Sequence, residues 1–153
     1  MTTEQQNALP HGLPIPAPSV DGLGAEFWDA TRRHELLVQR CNDCRNWQWG
    51  PEHICHHCHS WDLAYEPVEP TGAIYSWERV WHPVHPALVN ALPYMVVLVE
   101  LPQAGNVRMV GNLVGQDPEI PIEIGQNVEA VFEDHDEDGK GYTLVQWMLS
   151  EKV

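Results

Sequence analysis

"CNDCRNWQWGPEHICHHCHSW", residues 41–61, gathers four cysteines, four histidines and three tryptophans, while the other 132 residues of this 153-residue chain contain no cysteine. Cys41-x-x-Cys44 and Cys55-x-x-Cys58 share one internal spacing and are separated by ten residues. Zinc takes a tetrahedron of thiolates at about 2.3 Å. A Cys-x-x-Cys turn sets two sulfurs on one side of such a centre. Ten residues are enough to bring the chain back as a small hairpin that supplies the other two. The expected ligands are Cys41, Cys44, Cys55 and Cys58, around one structural Zn²⁺. Two local disulfides or a rubredoxin-type iron are the competing uses of the same spacing.

His53, His56, His57 and His59 flank the second pair, but two intact thiolate pairs already fill four positions. The histidines are therefore read as solvent-facing or supporting groups. A closed four-sulfur shell also lacks the open position that catalytic zinc keeps for water. The stretch reads as a staple, because metal binding supplies folding free energy that about 25 residues cannot obtain from apolar burial.

Before the cysteines, "GAEFWDATRRHELL" reads as a short helix with Phe27, Ala30, Thr31 and His34 on one face, Glu26 in the first turn, and Arg32 and Arg33 near the end. Phe27 and Trp28 are adjacent, so one is expected to face the protein's own core and the other a partner. Residues 1–22, with Pro10, Pro14, Pro16 and Pro18, lack apolar periodicity. They read as an extended arm, either a disordered tail or a segment that docks on a partner.

After the cysteines the pattern turns strand-like. Five runs, Ala73 to Trp81, Tyr94 to Leu101, Val107 to Val114, Asn127 to Asp134 and Tyr142 to Leu149, are bounded by Pro, Gly and acidic clusters. "PYMVVLVEL" is almost continuously apolar, as a central strand is. Five such strands without long helices between them point to a small barrel, of which the OB-fold is the commonest five-stranded form. An SH3-like barrel and an open meander share the pattern.

The net charge is −14, from 22 acidic and 8 basic side chains. That field repels phosphate backbones and anionic headgroups, so nucleic acid and membrane surfaces are not expected partners. The opening Met-Thr-Thr-Glu carries no apolar signal segment, and the longest aliphatic run, Met95 to Val99, is far shorter than a bilayer span. A cytoplasmic protein is expected, a setting in which paired Cys-x-x-Cys elements more often hold metal than form disulfides.

Two further motifs bear on chemistry. In "EDHDEDG", residues 133–139, Asp134, Asp136, Asp138 and Gly139 match the first, third, fifth and sixth places of a calcium loop. The twelfth place is Val145 and the flanks are strands, so a charged hairpin tip is expected. In "WHPVHP", residues 81–86, His82 and His85 lie between the first two barrel strands without a nucleophile or paired carboxylates. A contact role suits them better than proton transfer. No glycine-rich phosphate loop is present.

The ordered elements "PIPAP", "FWDATRRHELLVQRCNDC", "HICHHCHSWDL", "GAIYSW", "LPYMVVLVEL" and "NLVG" resemble a family of zinc-ribbon plus OB-fold proteins associated with acyl-CoA enzymes, long catalogued as a domain of unknown function. The likeness covers roughly residues 13–149. Phe27-Trp28 ahead of the ribbon and the "PY" that opens the second barrel strand make it specific. It implies a mainly β chain: an N-terminal helix, a rubredoxin-like zinc ribbon and a C-terminal five-stranded OB-fold barrel. The corresponding segments are 1–22 (arm), 23–40 (helix and lead-in), 41–68 (ribbon) and 69–153 (barrel).

The resemblance further implies a non-catalytic accessory subunit of a thiolase-like enzyme acting on acyl-CoA, most of all a lipid-transfer-protein-type retro-aldolase of steroid or lipid side chains. Acyl-transferring thiolases and enoyl-CoA hydratases are the alternative partners, and a nucleic-acid-binding module is the alternative class. Only the four cysteines carry over as family functional positions. Where the family's ribbon usually has a glycine soon after a cysteine pair, Arg45 and His59 stand here. Candidate partner contacts are Phe27, Trp28, Trp81, His82 and His85, with CoA held mainly by the partner.

Overall fold

A computed structural model describes residues 10–16, 22–137 and 139–150; the remainder of the proline-rich arm, Asp138 and residues 151–153 lie outside the described residues. The helix is shorter than the sequence pattern suggests. α1 spans Ala25–Thr31, and Leu36 and Leu37, read above as its end, belong to a strand instead. The reason is a Schellman turn. His34 takes a left-handed conformation (φ 59°), its N–H donates to the Thr31 carbonyl, and the Glu35 N–H reaches back to Ala30. Arg32 and Arg33 therefore lie in the turn beyond the helix.

Three short strands follow: β1 (Leu36–Cys41), β2 (Trp47–Gln48) and β3 (Leu63–Val68), in the antiparallel order β2-β1-β3. Neither β2 nor β3 stands out in the sequence, because β2 is two residues long and β3 carries Pro67, which is tolerated on an edge strand.

The five expected barrel strands are all present: β4 (Thr71–Val80), β5 (Tyr94–Leu101), β6 (Val107–Leu113), β7 (Asn127–Glu137) and β8 (Lys140–Leu149). They close in the order β4-β5-β6-β8-β7, with β7 pairing back onto β4, so the open-meander alternative falls. In β5 the apolar run alternates after all. Met95, Val97, Val99 and Leu101 point inward, and the residues between them face out half-buried. The calcium-like segment is the β7–β8 hairpin, and the Asp134 carboxylate is already engaged by the Thr143 hydroxyl at 2.7 Å.

The ribbon sheet and the barrel share one core. Leu36 and Val38 of β1 are buried with Ile74, Met95, Val97, Val99, Met109, Val128 and Trp147 of the barrel. Trp47 seats on the β5–β6 turn at Gly105, where φ is +63° and a Cβ would lie 3.0 Å from the Trp47 ring. Only glycine suits both demands there. On the other side His34 stacks on Phe132, with ring centroids 5.3 Å apart, and pairs with Asp134 at 2.9 Å.

This latch gives the first expected result. Burial pushes the Asp134 carboxyl up, but hydrogen bonds from Thr143 and His34 outweigh it and hold the group below its ordinary value. A lowered carboxyl pKa stabilises the fold above the unfolded value and is lost as pH falls through the folded one. Because Asp134 is 58% exposed, Asp134→Asn should cost only about 0.5 kcal/mol at neutral pH. Thermal unfolding should show that difference shrinking toward zero below about pH 4, where the wild-type carboxylate itself protonates.

Candidate metal centre and its surroundings

The four cysteine sulfurs lie within 4.8 Å of one another, with Cys41 Sγ to Cys58 Sγ and Cys44 Sγ to Cys55 Sγ both 3.6 Å. A tetrahedron with zinc–sulfur bonds of about 2.3 Å has edges of roughly 3.8 Å. A disulfide needs about 2.05 Å, and all four thiols are free. The donor set therefore fits one Zn²⁺ and leaves no place for local disulfides. Among the described residues this is the group of His, Cys, Asp or Glu side chains close enough to hold a metal. His53, His56, His57 and His59 are exposed around it.

Local hydrogen bonds build the two knuckles. The Arg45 N–H donates to the Cys41 carbonyl and the His59 N–H to that of Cys55, and both residues adopt left-handed φ of 62°. The knuckles are thus as tight as glycine would make them, with side chains where a glycine is easier. The strain is of order 1 kcal/mol for a non-glycine residue in this region. His59→Gly should accordingly raise the thermal midpoint of the zinc-loaded protein by a few degrees without changing zinc content. Arg45 is a poorer test, because its guanidinium pairs with Glu66 at 2.7 Å.

The ribbon interior is polar. Gln39 and Gln48 are buried, and Gln48 Nε2 donates to Gln39 Oε1 at 2.7 Å. Gln39 exchanges hydrogen bonds with the Glu52 backbone, and Gln48 Oε1 accepts from the His56 N–H. The pair thereby fixes the loop that presents Cys55. These positioning residues were missed in the sequence, where a glutamine inside "LLVQRC" carries no motif; the only cue is a polar residue in an otherwise apolar strand.

The sulfurs are electrostatically unequal. The Cys58 backbone N–H, helped by that of His57, draws the Cys55 thiol down to about 6. At Cys58 the Ser60 N–H favours the thiolate, yet burial and the neighbouring sulfurs push the thiol up to about 12. Clustered thiolates repel one another, and a divalent cation is the group that relieves this.

The partner-contact candidates fall at two ends. Phe27 packs edge-on against Trp49, 4.8 Å between centroids, and against the core; Trp28 lies half-buried beside it. Trp81, His82 and His85 sit beyond the far end of β4, roughly 30 Å of strand away from the ribbon junction. His85 Nδ1 accepts from the Ala87 N–H, which caps the 3-10 turn Pro86–Leu88. A groove of about 1010 Å³ opens between the start of β4, the turn after β5 and residues 123–128. Glu123 is its one titratable lining residue, so no acid–base pair is assembled there.

Two family models match the chain: the ChsH2 rubredoxin-like zinc ribbon domain over residues 28–64 and the ChsH2 C-terminal OB-fold domain over residues 65–133. A chain of the solved Ltp2-ChsH2(DUF35) aldolase is 33% identical, with a TM-score of 0.73, covering 87% of this chain and 98% of that one. This protein belongs to the ChsH2 family. A DUF35 protein of unknown function from Sulfolobus solfataricus shares the fold at 10% identity and a TM-score of 0.56.

A probable enoyl-CoA hydratase alpha subunit of Thermomonospora curvata is 38% identical over 82% of the chain, and the 3-oxo-4,17-pregnadiene-20-carboxyl-CoA hydratase alpha subunit of Mycobacterium tuberculosis is 32% identical over 76%. The chain spans 38% and 36% of the length of these two relatives. Among the described residues no helix is long and apolar enough to cross a membrane.

Proposed function

We propose that this chain is a non-catalytic accessory subunit of a thiolase-like enzyme, of the lipid-transfer-protein-type retro-aldolase class, that acts on acyl-CoA thioesters of steroid or lipid side chains. The likeness to the ChsH2 chain of the solved aldolase, which is covered over nearly its whole length, carries this reading. The site chemistry supports it. The cysteines are committed to a closed metal shell, the groove holds no acid–base pair, and His85 caps a turn. Retro-aldol cleavage breaks the Cα–Cβ bond of a β-hydroxyacyl thioester and needs a positioned base. The partner supplies that base and holds most of the CoA, while this chain stabilises the partner.

The hydratase names of the two curated relatives fit the same sequence of chemistry, because adding water to an enoyl-CoA produces the β-hydroxyacyl-CoA that a retro-aldolase cleaves. The decisive experiment mixes the purified chain with the Ltp2 polypeptide of the solved aldolase and assays cleavage of a steroid β-hydroxyacyl-CoA. The expected result is no turnover by the chain alone and a stable, active complex together. Turnover by the chain alone, abolished in His82→Ala or His85→Ala, would overturn the reading. Tight, salt-sensitive binding to single-stranded DNA would instead favour a nucleic-acid module.

A further inference from the structure

Beyond β4 the barrel presents apolar surface that the fold itself does not use. Trp81 is 61% exposed and Val84 82%, and Trp77, Val89 and Ile120 also face solvent. Arg79 ties this surface together. Its Cζ lies 5.8 Å from the Trp77 ring centre and 5.9 Å from that of Trp81. Its Nε donates to the Pro118 carbonyl at 2.7 Å, and Nη2 to those of Glu119 and Ile120. One guanidinium therefore supports two indoles from below while pinning the loop that carries Ile120. The neighbouring connection is anchored as well, through the His85 cap and the buried Leu88, so Val84 and Val89 flank a fixed turn.

Monomers rarely expose contiguous apolar patches of this kind, and tryptophans on a rigid support are the usual anchors of protein interfaces. Preorganisation matters because little loop entropy is lost on docking. The charges around the patch define its occupant. Beside it the basic side chain is Arg79, against the acids Asp117 and Glu119 of the loop that Arg79 pins. Arg79 turns Nε and Nη2 onto carbonyls, so this end is apolar and acidic. That disfavours a phosphate-bearing ligand and suits a protein face with an apolar centre ringed by lysine or arginine.

We infer that Trp77, Trp81, Val84, Val89 and Ile120 form the surface through which this chain docks on its enzyme partner, and that the matching partner face is apolar with a basic rim. The inference rests on the accessory-subunit reading and adds the interface to it. The competing surface is the ribbon tip, where Trp61 is 76% exposed beside the zinc knuckles. Docking by the barrel end leaves the zinc ribbon at the opposite side, as a brace for the barrel instead of a contact.

The test measures binding of the full chain to the Ltp2 polypeptide of the solved aldolase, with zinc content and far-UV circular dichroism confirming that each variant is folded. Trp81→Ala and Val84→Asp should each weaken binding tenfold or more, and Trp61→Ala less than threefold. Asp117→Asn combined with Glu119→Gln should slow association at low salt at least twofold and lose that effect at high salt. Wild-type binding that survives Trp81→Ala and Val84→Asp, or that is lost in Trp61→Ala, overturns the docking surface and leaves the accessory-subunit reading standing. Failure of the wild-type chain to bind Ltp2 removes that reading, and the docking surface with it.

Discussion

Cys58→Ser should release zinc and unfold the ribbon while the barrel stays largely assembled. A serine hydroxyl does not ionise near neutrality, so the tetrahedral shell closed by Cys41, Cys44, Cys55 and Cys58 loses a ligand. The ribbon has little to fall back on. Around the knuckles its interior is the Gln39–Gln48 pair and its sheet includes a strand of two residues, while Leu36 and Val38 of β1 belong to the barrel core. Zinc binding in small ribbons of this kind contributes about 10–16 kcal/mol of apparent free energy at neutral pH, and losing a large part of it exceeds what this segment obtains elsewhere. Metal analysis should fall from about one equivalent toward zero. The near-ultraviolet signal of Trp47 and Trp49 should collapse, with most of the β signal in the far ultraviolet retained. A variant that keeps a full equivalent of zinc and an unchanged tryptophan signal would show that the four thiolates are not the metal site.

Trp147→Ala should be the most damaging single change in the barrel, at about 3–5 kcal/mol. Among the described residues Trp147 is the largest fully buried side chain, at 0% exposure, and its backbone makes the one parallel pairing, with Leu113, that joins β8 to β6. Removing the indole opens a cavity at the seam that closes the barrel. The seam is already tight. A Cβ on Gly111 would meet the Trp147 ring at 2.7 Å, so glycine is required there by close approach. Trp147→Phe should lose much less, because the indole N–H is buried without an acceptor and its removal carries no hydrogen-bond penalty. Chemical denaturation followed by far-ultraviolet circular dichroism checks both. Equal losses for the alanine and phenylalanine variants would mean that the seam is not packed as described. Total stabilities of about 5–15 kcal/mol mean that Trp147→Ala removes a large fraction of the whole.

Much of this was legible along the chain because the signals are local. Two cysteine pairs at fixed spacing define the metal centre, and period-two runs bounded by Pro, Gly and acidic residues define the five barrel strands. The helix end was misread because its apolar pattern runs on into Leu36 and Leu37. What stops the helix is a left-handed His34, and a histidine carries no general signal for that conformation. The same holds at Arg45 and His59, where the knuckle conformation is imposed by closing each turn around the metal site rather than by residue type.

By itself, then, the sequence determined the donor set, the strand inventory and the acidic charge, each of which depends on residue type and near-neighbour spacing. Tertiary structure decided the rest, because it depends on residues far apart in sequence. It placed Gln39 against Gln48 to hold the second knuckle, merged β1 with the barrel core, and latched His34 to Asp134 across 100 residues. It also set Arg79 beneath Trp77 and Trp81 with its donors turned onto the 118–120 carbonyls. Such contacts form only when closure of the barrel brings separate strands and loops within hydrogen-bond reach, and no local pattern in the chain records them.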